Sequence, residues 1–286
     1  MKFSIHLSML CRKWTDDISI YLDDIKKMGY DAVELSLFGT DKNSIKENAE
    51  KIKMNALDLT CGTGLGENQD LSSEDKIKRE NGIDYLKDSV ELVSQCGGKI
   101  LNGVLYAPWQ GFSKENKKDR WKRAADSFHQ LEDILNKNNV RLNLEVLNRF
   151  ESDFFNTLEE GAEFIEMVNS ENIKLLADTF HMNIEESDMF TNINKYFDSI
   201  GIFHISENHR GVPSTGHINW YEFLKTLYRK KYAGYLTLES FIEQGTDVGN
   251  ALFIWRNLGK NPLKEAERNI KFLKNILKDV TTDDKL

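Results

Sequence analysis

Eight short apolar runs alternate with longer amphipathic segments along the whole chain, and this alternation constrains the fold more than any other feature of the sequence. Successive runs in the second half start about 30 residues apart, which is the length of one strand followed by one helix. The pattern is typical of βα units built around a parallel sheet. The predicted strands are 3–9, 32–38, 56–61, 99–106, 141–148, 173–180, 200–207 and 234–240.

The segments between these runs have helical periodicity. The segment 16–29 places Ile18, Leu22 and Ile25 on one face with charged residues opposite, and Gly29 follows as a natural stop. Such a segment is typical of a surface helix outside a barrel. The other predicted helices are 119–138, 157–168 (where Thr157 and Glu160 form a capping box), 218–230 and 264–280.

Nothing in the sequence marks a domain boundary, since the chain has three prolines among 286 residues and no linker of low complexity. Eight βα units could form either an open doubly wound sheet or a closed barrel. Site residues at the ends of consecutive strands favour closure. We therefore predict a single (β/α)8 TIM barrel over residues 1–280, with an additional C-terminal helix and a disordered tail at 281–286.

The composition narrows the class of partner. The formal net charge of −8 argues against a nucleic acid, because phosphate binding needs clustered Lys and Arg. The sequence contains no run of about 20 apolar residues, so we predict no membrane span. Three irregularly spaced cysteines predict free thiols in a reducing compartment, and hence a cytoplasmic location. An uncharged small substrate fits this balance better.

Four consecutive predicted strands end in a side chain that commonly binds metal ions: Glu145, Asp178, His204 and Glu239. A parallel barrel brings the carboxyl ends of its strands to one rim, so we expect these side chains to form one metal site. Three carboxylates and one imidazole suit Mn²⁺, Co²⁺ or Mg²⁺ better than a structural zinc. No cysteine lies near these positions.

The same residues suggest a proton transfer. A divalent ion can hold two adjacent oxygens of a hydroxy-ketone, which makes a neighbouring C–H proton removable and stabilises an enediolate. Returning the proton to the opposite face of the carbon requires two groups on opposite sides. Glu145 and Glu239, on the fifth and eighth strands, are predicted to be that catalytic pair.

Further polar residues follow three of these ligands within a few positions. Glu151, His181 and Arg210 fall in loops at the same rim, where they could bind substrate. Arg210 could equally form a surface salt bridge, although its fork of donors suits a ketone oxygen. Three aromatic residues could belong to the core or line a sugar pocket, namely Trp14, Tyr106 and Trp109.

These residues lie in motifs that resemble the ketose 3-epimerases, the D-allulose (D-psicose) and D-tagatose 3-epimerases of the xylose-isomerase-like barrels. The similarity covers nearly the whole chain. The motifs that carry it, in order, are EVLNRFE, DTFHMNIEE, HISENHRG followed by PSTGHINW, LESF and VGNALFIWRNL. Any one of them is a weak signal, but the ordered set is specific.

The resemblance implies roles for the site residues and for the ion. It implies that Glu145 and Glu239 exchange the C3 proton while Asp178 and His204 help them to hold Mn²⁺ or Co²⁺. Residues matching those that bind the O1 and O2 end of the ketose are Glu151, His181 and Arg210, and those matching the pocket lining are Trp14, Glu34 and Trp109. The family implies a free, unphosphorylated ketose and a homodimer or homotetramer.

The first strand departs from the family pattern. Relatives carry a tyrosine-rich strand, whereas this chain has IHLSML, so His6 stands where a tyrosine often contacts the far end of the sugar. The segments GTGLG (62–66) and YAPWQGF (106–112) also differ, and both are expected near O4 to O6. The departures leave the preferred ketose open.

Other functions on the same fold remain alternatives. An aldose–ketose isomerase or a dehydratase acting on an inositol-derived ketone would use a similar site and differ in product. An endonuclease-IV-like repair enzyme would need more metal ligands and a basic surface, which the acidic composition opposes. A sugar-binding protein without catalysis would not require both glutamates.

Overall fold

Eight parallel strands form a closed barrel in chain order, from β1 beside β2 to β8 back beside β1. This closed parallel sheet confirms the predicted (β/α)8 barrel. The computed structural model describes residues 1–283 of the chain. The strands are β1 (Lys2–His6), β2 (Ala32–Ser36), β3 (Asp58–Leu65), β4 (Ile100–Pro108), β5 (Arg141–Glu145), β6 (Ile173–Asp178), β7 (Ile200–Ile205) and β8 (Tyr235–Leu238).

The third and fourth strands extend beyond their predicted ends at 61 and 106. A glycine explains their close pairing, since Gly103 has φ +125° and a Cβ there would lie 2.0 Å from the carbonyl oxygen of Thr63. Only glycine tolerates both that backbone conformation and that approach. β3 thus continues along β4 and brings the GTGLG segment to the mouth of the barrel.

Helices surround the barrel. They are α1 (Leu22–Met28), α2 (Lys42–Met54), α3 (Lys76–Gln95), α4 (Lys117–His129), α5 (Glu132–Asn138), α6 (Leu158–Val168), α7 (Thr179–Glu185), α8 (Met189–Tyr196), α9 (Trp220–Arg229), α10 (Asp247–Ala251) and α11 (Pro262–Asp283). The predicted cap of α6 is present, because Thr157 accepts a hydrogen bond from the N–H of Glu160 at 3.2 Å.

Two predicted helices differ from those observed. The segment 16–29 begins with a 3₁₀ turn at Ile18–Tyr21 before α1, and Gly29 ends α1 at φ +92° as expected. The predicted helix 119–138 is divided into α4 and α5. A tight turn, in which the N–H of Leu131 donates to Phe128, separates them and leaves both side chains fully buried.

The additional C-terminal helix, α11, is longer than predicted. Residues 281–283, the first part of the predicted disordered tail, are the last residues of α11 in this structure: the hydroxyls of Thr281 and Thr282 donate to the carbonyl of Lys278, and Tyr221 donates to Asp283 at 2.6 Å. The disordered tail itself stays a prediction. The rest of the predicted tail, 284–286, lies outside the described residues. The single domain over 1–280 stays a prediction.

The barrel interior near the mouth is unusually polar. Thr60, Asn102 and Asn143 point inward and are fully buried, whereas branched apolar side chains dominate most parallel barrels. The large apolar core lies instead between strands and helices, with Trp121 and Phe164 among its fully buried members. No helix in residues 1–283 is long and apolar enough to cross a membrane.

Candidate active site

The four predicted metal ligands meet at the carboxyl end of the barrel. Glu145 and Asp178 are the last residues of β5 and β6, His204 precedes the last residue of β7, and Glu239 directly follows β8. One ligand atom from each lies within 4.8 Å of the others, and all four residues are buried. The parallel register explains the convergence, since Asp178 pairs with His204 across β6 and β7.

The chemistry of these side chains fits a divalent ion. Three carboxylates in one buried site need compensating positive charge. Neither ring nitrogen of His204 has a hydrogen-bond partner among the described residues, although both are buried. Nδ1 lies 3.4 Å from Glu239 Oε2 and faces the other ligands. The residues that could hold the ion are therefore Glu145, Asp178, His204 and Glu239.

Arg210 joins two of the acidic residues. Its guanidinium donates to Asp178 Oδ2 at 2.6 Å and to Glu239 Oε2 at 2.7 Å, and it lies over the rings of Phe180 and Phe241. The backbone of Arg210 is left-handed, with φ +69°. A non-glycine residue held in this region indicates a position that the surrounding structure enforces.

The two glutamates have opposite electrostatic environments. Burial raises the pKa of Glu145 above the ordinary value; the hydrogen bond to His181 opposes this change, and the charge of Glu239 adds to it. Burial also acts to raise the pKa of Glu239, but the charges of Arg210 and His204 outweigh it and hold that pKa well below its usual range. Such a separation is what an acid–base pair requires.

A hydrogen-bonded group fixes the predicted substrate residues beside Glu145. His181 Nε2 lies 3.4 Å from Glu145 Oε1, and His181 Nδ1 accepts from the backbone N–H of Asn148 at 3.2 Å. Glu151 accepts from Trp109 Nε1 and from Asn148 Nδ2, both at 2.9 Å. The two loops after β4 and β5 are thereby joined at the mouth.

The first four strands contribute a different set of residues. His6 and Glu34, paired in register across β1 and β2, are 3.9 Å apart between Nε2 and Oε1. Trp14 contacts Phe38 edge to face at the rim. Tyr106 belongs to the core, where it stacks on Phe154 and donates to the carbonyl of Glu145 at 3.0 Å.

A cavity of about 270 Å³ connects these residues. Every predicted site residue except Asp178 lines it, and Asp178 pairs with Arg210, which does. The glycine segment of β3 also lines it through Gly62, Thr63 and Gly64. A cavity of this size suits a small sugar rather than a polymer.

Sequence reasoning missed three polar residues that support the site. Asn148 orients both Glu151 and His181, and Asn102 bonds Glu34 at 2.6 Å. Glu207 is fully buried and accepts from the N–H of Ser214 at 2.9 Å and from Trp220 Nε1 at 2.7 Å, which anchors the loop that carries Arg210. Glu207 follows an apolar strand as Glu145 does, so the same signal could have drawn attention to it.

Known proteins share this architecture. A family model described as xylose isomerase-like TIM barrel matches residues 22–276. The D-psicose 3-epimerase of Enterocloster bolteae is 33% identical over 274 residues, which are 93% of this chain and 91% of that protein. The L-ribulose 3-epimerase of Mesorhizobium japonicum is 34% identical over 254 residues, covering 88% and 86%.

The similarity extends to three dimensions. The crystal structure of D-psicose 3-epimerase with D-tagatose from Clostridium cellulolyticum H10 superposes with a TM-score of 0.90 at 30% identity, over 97% of this chain and 99% of that one. Fold, covered length and sequence identity therefore agree. The chain belongs to the ketose 3-epimerases of the xylose isomerase-like TIM barrel family, and it is an isomerase.

Proposed function

We propose that this protein catalyses the metal-dependent, reversible C3 epimerisation of a free ketose, such as D-fructose to D-allulose. The observation that carries the proposal is the convergence of four buried donors within 4.8 Å, two of them glutamates, one at the end of β5 and one directly after β8. The printed names of its relatives, D-psicose and L-ribulose 3-epimerases, support this reaction class.

Glu145, Asp178, His204 and Glu239 would hold the ion, which we propose to be Mn²⁺ or Co²⁺, with Mg²⁺ also compatible with oxygen donors. When bound, the ion supplies positive charge that stabilises an enediolate. The remaining chemistry belongs to the protein. Its task is to bind the sugar, orient C3 between two carboxylates and move one proton.

Glu145 and Glu239 are proposed to act on opposite faces of C3. One removes the proton as a carboxylate, and the other, protonated, returns a proton to the opposite face. The roles exchange when the reaction runs backwards. The opposite electrostatic environments of the two groups support this division, because burial raises the pKa of Glu145 while the charges of Arg210 and His204 lower that of Glu239.

Glu151, His181 and Arg210 are proposed to bind the O1 and O2 end of the ketose. Burial acts to raise the pKa of Glu151, but the charges of His181 and Arg210 and two hydrogen bonds lower it, so Glu151 is an ionised acceptor for a sugar hydroxyl. Arg210 supplies donors from a rigid fork. These groups would hold the reacting end in one orientation.

His6, Trp14, Glu34 and Trp109 are proposed to line the rest of the pocket. Within the described part of the chain, Arg210 is the one lysine or arginine that lines the cavity, and its donors already bond two carboxylates. A phosphorylated sugar would place two negative charges there without a free cationic partner. The cavity therefore supports an unphosphorylated ketose as substrate.

We also propose that the protein forms a homodimer or homotetramer and acts in the cytoplasm without nucleic acid or membrane partners. Support for assembly comes from exposed apolar side chains around the mouth, namely Phe38, Phe112, Phe150, Phe253 and Trp255. Sedimentation equilibrium tests the assembly. A monomer at micromolar concentration would contradict it.

Product analysis tests the reaction. Purified protein is incubated with Mn²⁺ and, separately, D-fructose, D-tagatose and D-ribulose, and the sugars are separated by chromatography. The expected product is a second ketose that differs from the substrate at C3 alone. An aldose would indicate the isomerase alternative. Loss of water in a parallel incubation with an inositol-derived ketone would indicate the dehydratase.

A further inference from the structure

Glu34 is a buried carboxylate whose two oxygens have different partners. Glu34 lies in the middle of β2 and is 1% exposed. Oε2 accepts from Asn102 Nδ2 at 2.6 Å and from the hydroxyl of Thr60 at 3.0 Å. Oε1 lies 3.1 Å from His204 Nε2 and 3.9 Å from His6 Nε2. One oxygen is thus held by neutral donors, and the other faces the imidazole of His204.

The neutral donors are themselves fixed. Asn143 Nδ2 donates to Asn102 Oδ1 at 2.8 Å, so the amide of Asn102 must direct its NH₂ group to Glu34. Gly62 leaves room on the other side, because a Cβ there would lie 2.9 Å from Glu34 Oε1. A series of polar contacts therefore crosses the barrel interior, from β5 through β4 to Glu34 on β2, and reaches β7 at His204.

This series of contacts determines which nitrogen of His204 is available. Nε2 lies 3.1 Å from Glu34 Oε1, an ion-pair contact without hydrogen-bond geometry in this structure, and a carboxylate oxygen beside it favours a hydrogen on that nitrogen. Nδ1 lies 3.4 Å from Glu239 and faces the other candidate ligands. A carboxylate behind a ligating histidine fixes its tautomer and the orientation of its ring. We propose that Glu34 is a positioning residue that keeps the hydrogen of His204 on Nε2 and directs Nδ1 to the metal ion.

The inference rests on the proposed function, since it requires an ion at the four donors. It gives Glu34, which is proposed above to line the pocket, a role beyond contact with the sugar. The two roles predict different losses. A sugar contact would change the KM for ketose and leave metal affinity intact, whereas a positioning residue would weaken metal binding in the absence of any sugar.

Glu34→Gln separates these roles. The amide oxygen can still accept from Asn102 and Thr60, which turns the amide NH₂ group against His204 Nε2. The imidazole must then carry its hydrogen on Nδ1, where it blocks the ion. We expect the Kd for Mn²⁺, measured by calorimetric titration of chelator-stripped protein, to rise by about 10- to 100-fold.

Glu151→Gln is the matched control. Glu151 is also a carboxylate of the mouth held by two neutral donors, but it does not contact His204. Glu151→Gln should leave the Kd for Mn²⁺ within about threefold of that of the unchanged protein, well under the rise of about 10- to 100-fold expected for Glu34→Gln. It should raise the KM for ketose.

Asn102→Ala is a second variant of the same contacts. It removes one donor to Glu34 at a greater distance from the ion, so the Kd for Mn²⁺ should rise by about 3- to 10-fold, less than in Glu34→Gln.

The outcomes are separable. Absence of Mn²⁺ binding by the unchanged protein would contradict the proposed function itself. Normal Mn²⁺ affinity in Glu34→Gln, with a raised KM, would overturn the positioning role and restore the sugar contact. If circular dichroism shows that Glu34→Gln does not fold, Asn102→Ala decides by the same titration, because unchanged affinity there also overturns the proposal.

Discussion

The two halves of the barrel mouth contribute differently to the site. The half built by β5 to β8 carries all four candidate ligands and, in its loops, Glu151, His181 and Arg210. The half built by β1 to β4 carries a histidine, a buried glutamate, glycines and aromatic side chains. The charged residues proposed for metal binding and proton transfer thus lie on one side of the mouth. The residues that shape the cavity, and Glu34 that orients His204, lie on the other.

This division shows how one barrel can keep its chemistry while it changes its substrate. Charged ligands at strand ends are constrained by the ion and by one another, through contacts such as those of Arg210 with Asp178 and Glu239. His6 has fewer constraints, and its buried Nδ1 has no hydrogen-bond partner among the described residues. Substitutions in the two halves should therefore have different kinetic effects.

The largest effect should follow from changes to the catalytic pair in the second half. Glu145→Gln or Glu239→Gln removes a group that accepts or returns the C3 proton, and we expect kcat at saturating Mn²⁺ to fall by at least about 10³-fold. Steady-state kinetics and circular dichroism measure activity and fold together. Substantial kcat in either folded variant would show that the two halves are not divided in this way.

Glu186→Gln is the control for these variants. Glu186, next to α7, is a partly buried glutamate that accepts from the N–H of Leu158 at 2.7 Å and does not contact the four candidate ligands. The kcat of Glu186→Gln should stay within about twofold, because Glu186 does not line the cavity and the amide oxygen of Gln can still accept from Leu158. A loss as large as that of Glu145→Gln would indicate general disruption instead.

Removal of the ion should have the next largest effect. Dialysis against a chelator should reduce turnover to background and lower the melting temperature, because a ligand that binds only the folded state stabilises it by about 2.7 kcal/mol at 100 times its Kd. Added Mn²⁺ or Co²⁺ should restore both. Activity that persists after complete chelation would show that the reaction does not require a metal ion.

A change in the first half should alter selectivity instead of rate. His6→Tyr introduces the side chain that the family resemblance places against the far end of the sugar, so we expect the ratio of kcat/KM for D-fructose over D-ribulose to rise by about tenfold. The Kd for Mn²⁺ should not change. Loss of kcat with every ketose, at constant selectivity, would place His6 with the chemistry of the second half.

The smallest effect should come from a clamp outside the cavity. Arg149 forms a two-pronged ion pair with Glu185, which joins the loop after β5 to α7. Because Arg149 is exposed to solvent, its ion pair is screened, and we expect Arg149→Ala to lower the melting temperature only slightly. Thermal unfolding measures the change, with Lys42→Ala, from the exposed pair with Asp88, as the control. An equal change of melting temperature in both variants would show that the pair of Arg149 and Glu185 contributes no more than an ordinary surface ion pair.

Much of this division could be predicted from the sequence. Glu145, Asp178 and Glu239 each end an apolar run, and strand-end position alone indicated that they would meet. Asn102 could not be recognised, because it lies inside the run KILNGVLY and its role depends on which strand faces it. The boundary between α4 and α5 was also missed, since the helical periodicity continues through Leu131 and only packing divides it.

The pattern of an acidic residue after an apolar strand does not distinguish ligands from anchors. Glu145 and Glu207 both satisfy it, yet Glu145 faces the cavity and Glu207 faces its own loop. The difference arises from the alternation of side chains at the end of each strand and from the turn at Arg210. These depend on the closed barrel and cannot be read from one segment.

Deuterium exchange tests the central claim most directly. The protein is incubated in D₂O with D-fructose and Mn²⁺, and both the remaining substrate and the product are examined by NMR and mass spectrometry. We predict metal-dependent deuterium at C3 together with a new ketose, and neither in Glu145→Gln. Label at C1 with an aldose product, or no exchange with any ketose at saturating metal, would contradict the account.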